Sequence, residues 1–376
     1  MAEPRFLQIH TLTAYTAALL NRDDSGLAKR LPYGGATRTR VSSQCLKRHW
    51  RMAEDPHALS RIDGFEGAFR SRELVTKKVI TPVRAEFGDV IADALEPSFQ
   101  KALYGDKGDK KANRQTLLMG AAELDWLASE ARRLAGEAGG DEKTAMKLAE
   151  EWAKAMKGNL KAMVEAARLP GGLIGALFGR MVTSDPEANI TAPVHVAHAF
   201  TVHAEESESD YFTAVDDLGE EEPGADTIQE TELTSGLYYG YVVIDLPGLR
   251  ENLGENSELA GQVVHNLIHL IAEVSPGAKL GSTAPYGRAG LVLVEAGDRQ
   301  PRSLAEAFRK PVAPDMDAAS AALERHLNQL DKLYETGEAR RLIAVVDAGW
   351  DGVTRDTLKG LASWAGEIAA GRGVRP

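Results

Sequence analysis

Apolar residues recur with two different periods along this chain. Over residues 5–13 apolar and polar side chains alternate, with Leu7 and Ile9 on one side, which is typical of a β-strand. Residues 237–246 and 290–295 are rich in valine, leucine and tyrosine, and they predict two further strands. The sequence therefore predicts a sheet whose strands lie far apart along the chain.

Helical spacing dominates the remaining sequence. Residues 257–274 carry apolar side chains three and four positions apart, which predicts an amphipathic helix. Residues 57–180 contain two longer stripes of this kind, over 117–134 and 148–163. Turn-forming residues interrupt this region at 104–111 and 136–141, and Asp141 is a plausible N-cap. We predict a helical insertion with a small core of its own.

The order of these elements indicates the fold class. Strand, helix, long insertion, strand, helix and strand follow one another, which is compatible with a ferredoxin-like β-α-β-β-α-β core that carries insertions. A helix over 323–334, a strand over 342–346 and a helix over 354–370 are predicted to complete the chain. We therefore predict an α+β fold.

Residues 21–51 are the most informative stretch. They begin as a predicted loop and end as a predicted helix capped by Ser42 or Ser43. Residues 22–51 hold eight lysines and arginines and two aspartates, a net charge of +6, whereas the whole chain is at −11. A basic island in an acidic protein indicates an anionic partner more strongly than general basicity does.

The predicted helix has one basic and one apolar face. Plotted at 100° per residue, its apolar face carries Leu46 and Trp50, and the opposite face carries Gln44, Lys47, Arg48 and Arg51. One interpretation is a solvated polar face. The other is an anion site that combines the helix N-terminus with Gly34-Gly35, Arg38 and Arg40.

Residues 204–232 have the opposite character, with twelve acids and no lysine or arginine. In their centre lies an aromatic segment that begins with Tyr211, Phe212 and Thr213. We interpret the flanking parts as an exposed hairpin or loop. The aromatic centre is suited to wedging between bases, and the acidic parts are suited to pairing with a basic surface on a neighbouring copy.

Candidate catalytic and metal-binding residues are few. Asp23-Asp24 fits a metal site or an acid–base pair, but it also fits a turn with local ion pairing. His265 and His269 have the i, i+4 spacing of a helical zinc site, yet no third ligand is evident, and we interpret them as part of a polar helix face. Cys45, the only cysteine, is expected to pack. We predict no catalytic residues, no metal and no cofactor.

Several strings in this sequence carry a family resemblance. They include Asn21-Arg22-Asp23-Asp24, Gly34-Gly35, the pattern from Arg38 to Arg48, Gly179-Arg180-Met181 and Pro276-Gly277-Ala278-Lys279. With 212–218 and 235–238, these strings resemble the Cas7 backbone subunit of the type I-E CRISPR surveillance complex, Cascade, also called Cse4 or CasC. The resemblance spans about residues 1–300 and is loose beyond them.

The resemblance implies a fold and a function. The fold would be a right hand, with an RRM-like palm at 1–56, 179–199 and 234–376, helical fingers at 57–178 and a thumb hairpin at 200–233. The function would be to bind CRISPR RNA without catalysis, to oligomerise along the guide and to present its bases for pairing with target DNA in antiviral defence. The expected partners are CRISPR RNA, target DNA, further copies of the chain and the Cascade subunits Cas5, Cas6, Cas8 (Cse1) and Cse2.

The resemblance also assigns roles to individual residues. Met181 would pack against a displaced nucleotide, and Tyr211, Phe212 and Thr213 would form the thumb tip. The remaining expected RNA contacts are Lys29, Arg40, Ser42, Gln44, Lys47, Arg48, Arg51 and Lys279. One alternative stays open, an RNA endonuclease similar to type III effectors that uses Asp23 or Asp24.

The location of the protein is expected to be the cytoplasm. No run of about 18 apolar residues predicts a membrane span. The first residues lack the charged and then apolar pattern of a signal peptide. A single cysteine is compatible with a reducing compartment.

Overall fold

A computed structural model describes residues 3–156, 169, 171–182, 188–215 and 225–373, apart from the side chains of 212–215 and 225–229. The chain divides into two compact units. The first consists of Met1–Leu59, His195–Leu246 and Gly261–Pro376, and the second of Ser60–Val194 and Pro247–Ala260. The boundaries of palm, fingers and thumb stay a prediction.

The described residues form a mixed α/β structure. The strands are β1 Phe6–Ala18, β2 Arg30–Tyr33, β3 Ala36–Val41, β4 Ala68–Ser71, β5 Leu117–Gly120, β6 Val194–Val196, β7 Ala199–Thr201, β8 Ser207–Val215, β9 Ala225–Asp245, β10 Ala289–Gly297, β11 Ala339–Ala344 and β12 Thr354–Arg355. The helices are α1 Ser43–Arg51, α2 Thr81–Phe87, α3 Asp89–Tyr104, α4 Ala121–Glu137, α5 Glu142–Met156, α6 Gly172–Phe178, α7 Leu246–Asn252, α8 Ser257–Glu273, α9 Leu280–Thr283, α10 Met316–Tyr334 and α11 Leu358–Ala369. The strand predicted at the N-terminus, the helix that ends at Arg51 and the elements predicted after residue 237 are confirmed, except that residues 354–355 form a strand instead of helix. The prediction of a loop before α1 was wrong for residues 30–33 and 36–41, which pair as β2 and β3.

The first unit is built on one large sheet. Its strands follow the order β12-β11-β10-β1-β9-β7-β3-β2, and β6 and β8 also pair with β9. β1 lies between β9 and β10 and is antiparallel to both. On one face, Leu12, Leu291 and Leu293 pack against Leu323 and Leu327 of α10 in a shared apolar core. This packing ties strands from both ends of the chain together.

The polar side chains of β1 are also buried. His10 is fully buried, with Nδ1 2.9 Å from the Tyr239 hydroxyl and Nε2 3.0 Å from Glu295 Oε1. Arg302 and Arg340 donate hydrogen bonds to the same carboxylate. The alternation of β1 thus separates an apolar face from a buried polar network, because a buried charge is tolerated only with partners.

The second unit is mainly helical and has its own core, as predicted. Leu95 and Phe99 of α3, Leu124 and Leu127 of α4 and Trp152 of α5 belong to this core. A π-helical turn at Val75–Ile80 precedes α2.

Two predictions for this region can be scored. The Asp141 cap is confirmed, because its carboxylate accepts the Thr144 N–H at 2.8 Å. The helical prediction was wrong from Leu117 to Gly120, because these residues form β5 and pair with β4. Residues 157–163 of the second helical stripe lie outside the described residues. Among the described helices, none is long and apolar enough to cross a membrane.

Candidate nucleic-acid interface

Helix α1 is held in place at its first residue. Ser42 is its N-cap, and its hydroxyl accepts the N–H of Cys45 at 3.3 Å. The N–H of Ser42 in turn donates to the side-chain oxygen of Asn21 at 2.9 Å, which ties the preceding loop to the helix start. Ser42 is buried. Its side chain therefore has a capping role, and its RNA contact stays a prediction.

The two faces of α1 are confirmed. Trp50 is only 3 % exposed, and Leu46 packs against a small apolar cluster that includes Val41 and Tyr238. Gln44 and Arg48 are exposed, and Lys47 and Arg51 are half-buried. The apolar side thus anchors the helix while the long polar side chains face outwards.

Positive charge from three segments converges at His198, an exposed residue in the link between β6 and β7. A guanidinium N–H of Arg40 donates to His198 Nδ1 at 3.0 Å. The pKa of His198 is lowered, first by burial and then by nearby positive charge, which comes from Arg40, Lys29 and Lys47. We call Lys29, Arg40, Lys47 and His198 the cation cluster.

Two arginines of the basic island serve the fold instead. Arg38 is fully buried and donates to backbone carbonyls, among them those of Thr201 at 2.9 Å and Phe308 at 2.9 Å. Arg30 forms ion pairs with Glu205 and Glu232. The prediction that Arg38 contributes to an anion site was therefore wrong, because its donors are consumed by carbonyls of distant segments.

The Gly34-Gly35 pair was also wrongly placed in that site. It forms the two-residue turn between β2 and β3, with positive φ at both glycines. The six-residue strand β3 separates this turn from the start of α1, a distance of about 20 Å at ~3.3 Å per residue. Gly34 instead allows close approach to the backbone of Arg309, whose carbonyl oxygen would lie 1.6 Å from an added Cβ.

Asp23, in the acidic pair beside α1, has a structural role. Asp23 accepts the N–H groups of Ser25 at 2.9 Å and Leu27 at 3.0 Å, so its carboxylate closes the loop. Burial raises the pKa of the Cys45 thiol, which agrees with the expected packing role. A cavity of about 540 Å³ adjoins these residues and reaches Ala278.

Lys279 lies at the base of the β8–β9 hairpin. Its ammonium group donates to the hydroxyl of Thr231 in β9. Backbone pairing of Leu19 with Ala278 places this lysine beside the N-terminal loop. A cavity of about 330 Å³ there is lined by Arg22, Glu232 and Lys279, among others.

The predicted thumb segment is a hairpin in the described residues. Tyr211 pairs with Glu230 in mid-strand, and its side chain is 62 % exposed. Phe212 and Thr213 continue the same strand, and their side chains lie outside the described part. The three residues belong to β8, and their place at the thumb tip stays a prediction because residues 216–224 lie outside the described part.

Met181, in the second unit, is 74 % exposed between two anchored neighbours. Before it, Arg180 is buried and donates to the Glu123 carboxylate at 2.6 and 2.7 Å. After it, the N–H of the buried Val182 donates to the Asn189 side chain at 2.6 Å. A flexible apolar side chain is thus presented from a fixed backbone.

The surroundings of two histidines were not predicted from the sequence. His198 reaches Arg40 because β7 pairs with β3, where Phe200 lies opposite Arg40. His57 lies beside His265 and His269, with one ligand nitrogen of each residue within 4.8 Å of the others. Neither proximity leaves a local sequence signal, since both depend on segments more than 150 residues apart.

Comparison with known proteins agrees with the fold. Curated protein sequences include no match to this chain. A solved chain titled "CRISPR RNA-guided surveillance complex, pre-nicking" is similar over 97 % of this chain and 100 % of its own length, with 25 % identity and a TM-score of 0.78. A second, titled "CRISPR RNA-guided surveillance complex", covers 97 % and 99 % with 22 % identity and a TM-score of 0.60, and so supports the fold alone.

The family assignment rests on nearly the whole chain. The profile of the family described as CT1975-like protein matches residues 7–364, which includes the C-terminal part where the resemblance of individual strings was loose. This match and the structural similarity agree with the strings around Arg40 and Met181. The chain therefore belongs to the CT1975-like family of Cas7 proteins.

Proposed function

We propose that this chain is a non-catalytic backbone subunit of a type I-E CRISPR surveillance complex. It binds the sugar-phosphate backbone of CRISPR RNA and assembles with further copies along the guide. The bases of the guide stay available for pairing with target DNA. Its other partners are the remaining Cascade subunits, and it acts in the cytoplasm as part of a ribonucleoprotein. The fold shared with surveillance-complex chains supports this proposal.

The connectivity of the first unit supports an RRM-like palm. β1, α1, β7, β9, α8 and β10 follow one another as β-α-β-β-α-β, with the long second unit inserted after α1. In the sheet these strands take the order β10-β1-β9-β7, in which the first and third strands are central. This is the arrangement expected of a ferredoxin-like core.

The cation cluster beside α1 is the observation that carries the proposal. Lys29, Arg40 and Lys47 come from three segments, and the positive charge of each lowers the pKa of His198, in a chain of net charge −11. Exposed Arg48 extends the positive surface along the helix. A subunit that accepts any guide sequence must contact phosphates and sugars, because these carry no sequence information. Long cationic side chains on an anchored helix meet that need.

Removal of three charges tests the proposal. We expect the Lys47→Ala/Arg48→Ala/Arg51→Ala variant to fold, since its apolar face is unchanged, and to bind single-stranded RNA more weakly. Each phosphate contact to a single strand contributes ~0.7 to the slope of log affinity against log salt, so the slope should flatten by up to ~2. Titration of two unrelated RNAs at several salt concentrations measures this change.

A matched control removes three lysines from another helix. Lys143, Lys147 and Lys154 are exposed on α5, and their replacement by alanine changes the net charge equally. We expect the control to keep the wild-type slope. An unchanged slope in the α1 variant would refute phosphate binding by this face, and a loss confined to one RNA would mean that the face reads bases.

The absence of catalysis is tested in the same preparation. Asp23 uses its carboxylate to close its own loop, and this gives no support to a nuclease role. We expect bound RNA to stay intact in the presence of Mg²⁺. Cleavage that disappears in an Asp23→Ala variant would overturn this part of the proposal.

A further inference from the structure

We propose that His57, His265 and His269 form a binding site for a divalent transition-metal ion such as Zn²⁺. All three residues belong to the first unit. His57 follows α1 in a segment of turns, and the other two lie one turn apart on α8. The inference concerns the free chain and does not depend on RNA binding.

The three imidazole rings lie close together. His57 and His269 stack with their ring centroids 3.6 Å apart and their planes 4° from parallel. The ring centroid of His265 lies 5.1 Å from that of His269 and 5.7 Å from that of His57. A ligand nitrogen from each residue falls within 4.8 Å of the others.

Each ring has an oxygen beside its Nδ1 atom. His269 Nδ1 lies 3.1 Å from Glu273 Oε2, and His265 Nδ1 lies 3.2 Å from the Asn266 side-chain oxygen. His57 Nδ1 lies 3.6 Å from Asp55 Oδ1. At His269 the Glu273 carboxylate can only accept a hydrogen bond, so it holds the proton on Nδ1 and leaves the Nε2 lone pair for a metal. The Asn266 amide oxygen acts in the same way at His265, and Asp55 would have to move closer to His57 to do so. Metal-bound histidines commonly have such oxygen partners.

His269 provides the second, independent observation. The residue is only 7 % exposed, and its Nε2 atom is buried without a hydrogen-bond partner in the described structure. A buried polar atom without a partner costs stability and calls for an explanation. A metal ion bound at Nε2 would remove that cost.

The arrangement suits a site with one open position. Tetrahedral zinc with Zn–N bonds of ~2.0–2.1 Å places its ligand nitrogens about 3.4 Å apart, so the nitrogens must close by up to ~1.4 Å. The His57 ring must also turn out of its stack with His269, because the in-plane lone pairs of parallel rings do not converge on one ion. The closing ring is His57, which lies outside regular secondary structure and whose side chain is 33 % exposed. Water completes the fourth position. Imidazole ligands favour zinc and its neighbours over calcium or magnesium.

Such a site would have a structural effect. His57 comes six residues after the end of α1, so a bound metal would fasten the C-terminal end of the basic helix to α8. A metal ion that binds only the folded state raises the free energy of unfolding by RT ln(1 + [L]/Kd), where [L] is the free metal concentration. The chain is therefore expected to unfold at a higher temperature with Zn²⁺ than after treatment with a chelator.

The test uses the full chain, free of affinity tags and stripped with a chelator. Titration calorimetry with Zn²⁺ is expected to give one ion per chain, and Co²⁺ is expected to give the visible absorption of a tetrahedral complex. The His57→Ala variant should bind at least tenfold more weakly. The Glu273→Gln variant, which keeps all three ligands, should lose affinity about 10–100-fold.

The control and the refuting outcomes are specific to this site. His326→Ala, on α10, removes a histidine outside the cluster and should keep wild-type binding. Circular dichroism identifies a variant that fails to fold. If His57→Ala does not fold, the affinity of Glu273→Gln for Zn²⁺ decides the test. The proposal is overturned if the wild-type chain binds no Zn²⁺ at micromolar concentration. It is also overturned if the cluster variants bind as tightly as the control.

Discussion

Adjacent residues Arg180 and Met181 are expected to respond in opposite ways to substitution. Arg180 and Glu123 form a buried ion pair, and the Glu123 carboxylate also accepts the N–H groups of Gly120 and Gly171. Met181 is 74 % exposed. Arg180→Met should therefore disturb the fold of the second unit, whereas Met181→Ala should disturb only what the protein binds.

The size of each effect follows from these environments. Removing one partner of a buried ion pair costs about 3–5 kcal/mol, because the other charge stays buried without compensation. The second unit has ~150 residues and an unfolding entropy of about 0.3 kcal/mol/K, so the loss corresponds to about 10–16 °C in Tm. Substitution of an exposed side chain usually changes the free energy of unfolding by no more than about 0.5 kcal/mol, which corresponds to less than ~2 °C in Tm.

Two measurements separate the roles. Differential scanning calorimetry of both variants gives the change in Tm, and a variant with Arg180→Met and Glu123→Leu together tests the ion pair directly. We expect the double variant to recover much of the lost stability, since neither charge is left buried alone. Assembly of Met181→Ala on CRISPR RNA, followed by size-exclusion chromatography, should be weaker than that of the wild type.

Three outcomes would contradict these expectations for Arg180 and Met181. A Tm loss of several degrees in Met181→Ala would make Met181 a core residue and end its expected role of packing against a displaced nucleotide. A small Tm change in Arg180→Met would mean that the buried pair does not hold the segment. Normal assembly of a folded Met181→Ala protein would contradict the expected contact of Met181 with a displaced nucleotide, while the ion-pair argument would still hold.

Two further predictions concern the first unit. Burial lowers the pKa of His10 against the opposing hydrogen bond to Glu295, so the unfolded chain binds more protons. The His10 contribution to stability is thus present above about pH 6.5 and lost as the pH falls towards the folded-state pKa. Denaturant unfolding at pH 7.5 and 5.5 should show this loss. The difference in the free energy of unfolding between the two pH values should be smaller in the His10→Gln variant. Gly34→Ala and Gly35→Ala both place alanine at positive φ, at about 1–2 kcal/mol each. Gly34→Ala should lose more stability in denaturant unfolding, because only its Cβ meets the Arg309 backbone, and equal losses would contradict the close approach.

The sequence by itself determined the local features of the site. The two faces of α1, its cap at Ser42 and the exposure of Arg48 follow from residues within one or two helical turns of each other. The strand character of β1, β9 and β10 was equally evident. Such features depend on side-chain spacing and backbone preference, which act over a few residues and are therefore readable from sequence.

Only the tertiary structure decided which charges serve the surface and which serve the fold. Arg38 and Arg40 are two residues apart in β3, a spacing that predicts the same face of the strand. Arg38 is nevertheless buried among carbonyls, whereas Arg40 contacts His198. The difference depends on which strands and loops, distant in sequence, cover each position.

The structure of residues 117–120 also could not be predicted from local spacing. Their apolar spacing fits a helix, but they form β5 because β4 offers a pairing partner. The meeting of His57 with α8 likewise depends on how segments some 200 residues apart pack in one unit. Strand pairing and burial are set by the whole chain at once, since each buried polar group must find its partner wherever the fold supplies one.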